Sequence, residues 1–259
     1  MMELGTASRP IDLADMLDLH VRMQFGCYVS GVDAAPDGGR LIWSDRIADH
    51  GLNIAFGTRD GQWIRQAAAQ RQRSPVLLAE NLDVARTVCL ALRGTPVGAL
   101  AWMTRPATID GVSLADGRTI VGTDGPVPDE AFLSVFAGLS SSRAANAATI
   151  EAYGPALAGA TAGQGVTVRH LTMLEHGDAV ASASLYLVGG IAGLYNIGVV
   201  AERQRTGLGR RITEQAIAAA ADLGCSSLLL QCVSGSHAER LYAALGFERR
   251  ARPILVALR

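Results

Sequence analysis

The sequence contains no lysine, so all 23 of its basic residues are arginine. A Walker-type P-loop needs a lysine to reach the nucleotide phosphates, so this class of nucleotidase is excluded. The formal net charge is only −1, which gives no electrostatic reason to expect a nucleic-acid partner or binding to an anionic membrane. No apolar run reaches the roughly 18 residues of a membrane span. The first 20 residues lack a basic start followed by an apolar stretch, so we expect no signal peptide and a cytoplasmic location.

Cysteine is also scarce, and the four present are Cys27, Cys89, Cys225 and Cys232. No two of them form a C-x-x-C pair, and none has histidines near it at zinc-ligand spacing. We therefore expect free core thiols in a reducing compartment, and no metal site. Charged residues make up only 18% of the sequence and hydrophobic residues 49%. A chain of 259 residues with this composition can bury a sizeable core, in one large domain or two small ones.

Apolar periodicity and turn residues predict a chain that mixes helices and strands. The predicted helices cover 10–23, 61–73, 81–94, 129–139, 207–223 and 236–246. The predicted strands cover 51–57, 75–80, 96–104, 118–122, 166–174, 178–188, 191–200, 226–233 and 252–258. The segment 140–165 is expected to be a helix followed by a mobile loop. We expect an α/β fold with a mixed sheet.

The stretch "YNIGVVAERQRTGLGRRI" (195–212) joins a predicted strand directly to a predicted helix. Such a junction places the unpaired N–H groups and the positive dipole end of the helix beside the strand, which favours an anion. Gly207 and Gly209 leave out side chains where the backbone must come close to that anion. Arg205, Arg210 and Arg211 add positive charge to the same loop. The local chemistry indicates a phosphate or pyrophosphate, although any strand–helix turn also favours glycine.

A Rossmann dinucleotide site explains this stretch poorly. Position 212, where the third glycine would stand, is Ile212. The stretch also follows a predicted hairpin and does not open a βαβ unit.

The segment "IGVVAERQRTGLGRRITEQAIAAAADLGCSSLLLQCVSGSHAERLYAALGF" (197–247) resembles the GNAT superfamily of acetyl-CoA-dependent N-acyltransferases. Residues 204–209 match its Q/R-x-x-G-x-G/A loop, and "AERLYAALGF" (238–247) is similar to its second signature. The resemblance covers roughly residues 118–259. It implies a GNAT fold, acetyl-CoA as co-substrate and no metal.

The resemblance also implies roles for individual residues. The backbone of the strand before the loop would bind the pantetheine arm, and the loop amides would bind the pyrophosphate. The residues assigned to the coenzyme are Ile197, Gly198, Val199, Val200, Gln204, Arg205, Thr206, Gly207, Leu208, Gly209, Arg210, Ser236 and His237. Tyr242 matches the tyrosine that protonates the departing thiolate, a role that suits a phenol. Tyr242 could instead be a core residue, and His237 a solvent-facing residue at a helix start.

No general base is assigned by the sequence. Glu175 and His176 flank a hairpin turn, and Glu151 could line a substrate cleft. Tyr195 and Asn196 lie on the strand where the acetyl group should sit, so either could contact it or the acceptor.

The first half of the chain shows a similar order of elements. Its strand–helix–strand–helix–strand pattern repeats that of the second half, but "IAFG" is followed by "TRDGQ" in place of the glycine loop. We predict two GNAT-like halves in tandem: residues 1–112 without coenzyme, and residues 113–259 as the catalytic domain. An unrelated α/β domain is the alternative for residues 1–112.

The leading functional prediction is N-acetylation of a small-molecule amine, such as an amino acid, an amino sugar or a biosynthetic intermediate. Acetylation of a protein N-terminus or lysine, a longer acyl donor, and acyl-CoA binding without catalysis remain open. We expect a monomer or homodimer.

Overall fold

A computed structural model describes residues 11–109 and 118–259, and in them helices and strands mix as predicted. The helices are α1 (Leu13–Gln24), α2 (Gly61–Gln70), α3 (Leu82–Leu92), α4 (Glu130–Phe136), α5 (Arg143–Ala158), α6 (Leu208–Asp222) and α7 (His237–Ala244). The strands are β1 (Gly31–Ala34), β2 (Arg40–Trp43), β3 (Ile54–Phe56), β4 (Val76–Ala79), β5 (Gly94–Pro106), β6 (Arg118–Asp124), β7 (Thr167–Glu175), β8 (Asp178–Val188), β9 (Ile191–Val199), β10 (Ser227–Val233), β11 (Glu248–Ala251) and β12 (Ile254–Leu258).

Local signals in the sequence account for several of these boundaries. The side chain of Asn81, the predicted cap of α3, accepts hydrogen bonds from the backbone of Asp83 and Val84. The two hairpin turns fall where they were predicted, at 176–177 and 189–190, and all four turn residues have positive φ. That backbone conformation matches the twist of the strands they join.

Three strands, β1, β2 and β11, were not predicted. Each has only four residues, which is too short to show a clear alternation of apolar and polar positions. The segment 140–165 contains the predicted helix, and a loop follows it from Gly159 onward. Helix α5 alone spans 16 of its residues and continues past Pro155.

One mixed sheet of 12 strands connects the two halves of the chain. Its order is β1-β2-β3-β4-β12-β5-β10-β9-β8-β7-β6, and β11 pairs with β5. The last strand of the chain, β12, lies beside β4 of the first half, whereas β5 of the first half lies beside β10 of the second. Each half of the sheet therefore contains a strand from the other half of the chain. The predicted boundary at 112 lies outside the described residues and stays a prediction.

Alternate residues of each strand pack on opposite faces of the sheet. We call the face covered by α1, α4 and α5 the α1 face, where Trp102 and Leu229 pack against Met16. The opposite face, covered by α2, α3, α6 and α7, is the α6 face, where Ala101 and Leu228 pack near Ile212. On each face, a cluster of buried side chains joins residues from the two halves of the chain.

The four cysteines are free thiols, as predicted. Cys27 and Cys225 are buried, and Cys89 and Cys232 are partly buried. No helix in the described ranges is both long enough and apolar enough to cross a membrane.

Candidate functional site

Strands β9 and β10 separate after three paired residues. They pair in parallel from Ile191 with Ser227 to Gly193 with Leu229. Beyond these residues β9 continues toward α6, while β10 stays paired with β5 on its other side. The parting leaves an edge of β9 free to hydrogen-bond an extended ligand.

The residues predicted to bind pantetheine, 197–200, lie on this diverging end of β9 and are partly buried. The backbone of Val200 is already used within the protein, because its N–H donates to Val180 and its carbonyl accepts from Arg203. The carbonyl of Val199 accepts from the side chain of Gln204. Gly198 stands opposite Ser182 of β8, whereas Ile197 has no register partner there, so Ile197 is the strongest of the four candidates for a backbone contact with a ligand.

A β-bulge lies at the point where β9 diverges. Gly198 stands opposite Ser182 and Tyr195 opposite Ser184, so β9 has one residue more than β8 in this interval. Asn196 in the bulge has a φ of 52°, a left-handed conformation that few residues other than glycine adopt. The bulge brings Asn196 into contact with other elements, as described below.

Helix α6, which follows β9, begins without a capping side chain. Its N-cap residue is Gly207, and no side chain accepts a hydrogen bond from the first turn. The other six α-helices of the described chain each have a polar side chain in that position. Because the first N–H groups of a helix have no partner within it, those of α6 are available to an anion. This is the predicted coenzyme loop, residues 204–210.

The conformation of the loop is held by its own polar side chains. Gln204 donates to the carbonyls of Leu139 and Val199, at 2.8 and 3.1 Å. The hydroxyl of Thr206 donates to the carbonyl of Arg203 at 2.6 Å. These bonds tie the loop to β9 and to the connection between α4 and α5, so it is shaped before any ligand arrives.

The arginines of the loop differ in their partners. Arg203 pairs with Glu175 at 3.0 Å and Arg210 with Glu214 at 2.8 Å. Arg205 is exposed and forms no ion pair with another described residue. A phosphate at the start of α6 would therefore meet both the helix amides and an uncommitted guanidinium.

Gly207 has a φ of 90°, which side chains with a Cβ rarely adopt, and a Cβ built there would meet no atom within 4 Å. Gly209 differs, because a Cβ there would make only ordinary contacts with Leu241 and Val199. Gly207 is thus needed for its backbone conformation and for the open space above it, which is where the pyrophosphate is predicted to lie.

Tyr242 lies on α7 and is 7% exposed, with its ring edge-on to Phe247. Its hydroxyl has no hydrogen-bond partner among the described residues. Burial, and then the nearby Cys232 thiol, raise the pKa of Tyr242 well above its usual value of about 10. The phenol is therefore protonated at neutral pH and has a proton to donate.

Ser236 and His237 stand at the start of α7. The side chain of Ser236 accepts from the N–H of Glu239 at 3.2 Å, so it caps the helix. His237 is exposed. The cap accounts for Ser236 without a coenzyme, and the predicted contacts of both residues with the coenzyme stay predictions.

The equivalent helix of the first half, α2, begins very differently. The Asp60 side chain caps it by accepting from Trp63 at 2.9 Å. Asp37 lies beside it and accepts from the hydroxyl of Thr58 and the N–H of Arg59. Two carboxylates thus occupy the position where the second half offers free amides and an arginine, and they disfavour a phosphate.

The candidate bases differ in availability. Glu175 is held by Arg118 at 2.9 Å and Arg203 at 3.0 Å. His176 is exposed in the β7–β8 turn, and Glu151 is exposed on α5. In the described residues, no hydrogen bond or ion pair joins any of these three side chains to the diverging end of β9, residues 197–199.

Two residues of the first half reach Tyr195 and Asn196. The hydroxyl of Tyr28 donates to Asn196 Oδ1 at 2.6 Å, and His20 Nδ1 lies 3.1 Å from the hydroxyl of Tyr195. Burial lowers the pKa of His20 to about 4, so this imidazole is neutral at pH 7. No local sequence signal marks Tyr28 or His20, because their partners lie more than 160 residues along the chain.

The comparisons with known proteins agree with this geometry. Residues 147–247 match the family model described as "Acetyltransferase (GNAT) family". This range contains α6, the divergence of β9 and β10, and Tyr242. Comparison with curated protein sequences found no match.

Solved structures resemble the chain over most of its length. A GCN5-related N-acetyltransferase from Kribbella flavida is 18% identical, with a TM-score of 0.61 over 88% of this chain and 89% of that one. A GCN5-related N-acetyltransferase from Sphaerobacter thermophilus is 14% identical, with a TM-score of 0.56 over 88% and 82%. A tandem GNAT protein from the clavulanic acid biosynthesis pathway is 16% identical, with a TM-score of 0.53 over 84% and 77%. Residues 147–247 therefore match the GNAT acetyltransferase family, and the chain as a whole has the GNAT fold.

Proposed function

We propose that this chain transfers an acetyl group from acetyl-CoA to the amine of a small molecule, within a ternary complex. The observation that carries the proposal is the start of α6. Among the α-helices described it alone lacks a capping side chain, and the loop before it, residues 200–207, leaves a strand that has separated from its neighbour. A ligand with a pyrophosphate joined to an extended arm would satisfy both features.

Each part of the coenzyme has a matching feature in the chain. The pyrophosphate would accept from the amides of residues 205–210 and from Arg205. The pantetheine arm would run along the free edge of β9 and bond the backbone near Ile197 and Gly198. Its thioester would then lie in the opening between β9 and β10, within reach of Tyr242 from the α6 face.

The reaction is an acyl transfer in one step. The neutral amine attacks the thioester carbonyl carbon, a C–N bond forms and the C–S bond breaks. The Tyr242 hydroxyl protonates the leaving thiolate, which is a stronger base than water, and then recovers a proton from solvent. The proton of the amine leaves through solvent, with no residue of the chain assigned as base.

The first half supports the reaction without binding coenzyme in this proposal. Asp37 and Asp60 occupy the start of α2. Instead, α1 and the turn after it cover the α1 face beside β9, through His20 and Tyr28. Because that face is covered, it suits a small acceptor better than a protein chain.

The test is calorimetric titration with acetyl-CoA, followed by assays of thiol release with a panel of amines. We expect one coenzyme site per chain in the wild type and no binding in Gly207→Glu, whose carboxylate would face the pyrophosphate. Gly38→Glu is the matched control, since Gly38 has a φ of 88° and open space around its Cβ but lies in the first half. Unchanged affinity in Gly207→Glu, or equal losses in both variants, would contradict the assignment.

A further inference from the structure

We propose that Tyr28 of the first half binds the acceptor amine, by accepting a hydrogen bond from it at the bulge of β9. This inference rests on the proposed acetyl transfer and adds its acceptor subsite. The residues behind Tyr28 act as positioning residues that fix the direction of its hydroxyl.

A chain of hydrogen bonds crosses the α1 face from Tyr28 to the segment before α4. The Tyr28 hydroxyl lies 2.6 Å from Asn196 Oδ1, and Asn196 Nδ2 lies 3.0 Å from Ser184 Oγ. Ser184 Oγ is 2.8 Å from His170 Nδ1, and His170 Nε2 is 3.3 Å from the carbonyl of Pro126. Tyr28, Ser184 and His170 are all buried.

The carbonyl at the far end sets the direction of every bond in this chain. The Pro126 oxygen can only accept, so His170 Nε2 carries the proton and Nδ1 accepts from the Ser184 hydroxyl. Ser184 Oγ then accepts from the Asn196 amide, which leaves Asn196 Oδ1 to accept from Tyr28. Burial lowers the pKa of His170, which keeps the imidazole neutral and this arrangement intact.

The consequence lies at the near end. The Tyr28 hydroxyl donates its one hydrogen to Asn196. Its oxygen can therefore only accept any further hydrogen bond. A ligand that meets this oxygen must donate a hydrogen bond, as an amine does. Because an amide does not relay protons readily, we assign Tyr28 to binding and orientation of the amine, not to its deprotonation.

The surroundings of Tyr28 favour an amine that arrives as a cation. Its ring meets the ring of Tyr153 edge-on, with centroids 5.8 Å apart. Burial and then the Asp49 carboxylate raise the pKa of Tyr153 to about 12. Asp49 is exposed and acts on Tyr153, so a carboxylate that attracts an ammonium stands next to the two phenols. The acceptor class is therefore a primary amine that is charged in solution.

The experiment uses four primary amines as probes: ethanolamine, glycinamide, 2-phenylethylamine and spermidine. Each is titrated calorimetrically into the full chain saturated with coenzyme A, and each is assayed for thiol release from acetyl-CoA. For the amine bound most tightly, we expect Tyr28→Phe to weaken binding and raise KM by about tenfold, the scale of one lost hydrogen bond. Its acetyl-CoA affinity should not change.

Two further variants separate binding from general loosening of this face. Ser184→Ala removes the acceptor that holds the Asn196 amide, so it should weaken amine binding by about threefold. Tyr186→Phe is the matched control, because its hydroxyl donates to Cys27 at 3.4 Å and takes no part in the hydrogen-bond chain. Its amine affinity should equal that of the wild type.

The outcomes are distinct. Unchanged amine binding in Tyr28→Phe, or equal losses in Tyr28→Phe and Tyr186→Phe, would overturn the inference. Failure of the wild type to bind any of the four amines would overturn the amine assignment. Amine binding that depends on Tyr28 without thiol release would support the subsite and contradict the proposed transfer.

Discussion

Removal of the Tyr242 hydroxyl should change stability and turnover in opposite directions. Only 7% of the Tyr242 residue is exposed, and no described residue accepts a hydrogen bond from its hydroxyl or donates one to it. A buried hydroxyl without a partner costs about 1–3 kcal/mol in protein mutational data. Because Tyr242 keeps 7% of its surface exposed, we expect Tyr242→Phe to gain only about 0–1 kcal/mol.

The catalytic effect should be much larger than the effect on stability. Loss of a positioned general acid lowers turnover by about 10²-fold or more, and the phenyl ring would still pack against Phe247. Coenzyme affinity should therefore stay the same while kcat falls. Burial raises the pKa of Tyr242, so the phenol should stay protonated near pH 9. Deprotonation of Tyr242 should therefore cause no decline in wild-type kcat at that pH.

Two measurements test this prediction. Thermal unfolding should give a Tm for Tyr242→Phe equal to that of the wild type or higher by up to about 4 °C. Thiol release with saturating amine should give the fall in kcat. A clear drop in Tm would mean that the hydroxyl has a structural partner, and wild-type kcat would remove Tyr242 from the mechanism.

Two other substitutions give distinct predictions. The folded-state pKa of His20 is about 4 against 6.5 unfolded, so protonation favours unfolding and stability should fall as pH drops from about 6.5 to 4, by up to about 1.4 kcal/mol per pH unit. The difference in urea midpoint between wild type and His20→Gln at pH 7.5 and at pH 5 measures this, and a constant difference would refute it. Ser236→Ala should cost about 1 kcal/mol through loss of the α7 cap. If Ser236 also contacts the coenzyme, as predicted, Ser236→Ala should lower the affinity for acetyl-CoA. Equal affinities of the variant and the wild type in calorimetry would show that Ser236 is only a helix cap.

The elements that the sequence predicted well are those with local signals. The hairpin turns at 176–177 and 189–190 depend on glycines within the turns themselves, and the cap of α3 on Asn81. The uncapped start of α6 has a local signal too, because Gly207 offers no side chain to accept from the first turn. The coenzyme contacts of residues 204–210 stay a prediction. Short strands such as β1 and β2 escaped prediction, since four residues carry little periodic signal.

The sequence by itself therefore determined the mixed α/β class, the GNAT-like loop and the absence of that loop from the first half. Only the tertiary structure decided how the halves combine, with β12 beside β4 and β5 beside β10. It alone placed Tyr28 on Asn196 and His20 on Tyr195, and it gave the direction of the hydrogen bonds from Pro126 to Tyr28. The physical reason is distance along the chain: turns and caps involve neighbours, whereas strand pairing and buried polar contacts join residues that only folding brings together.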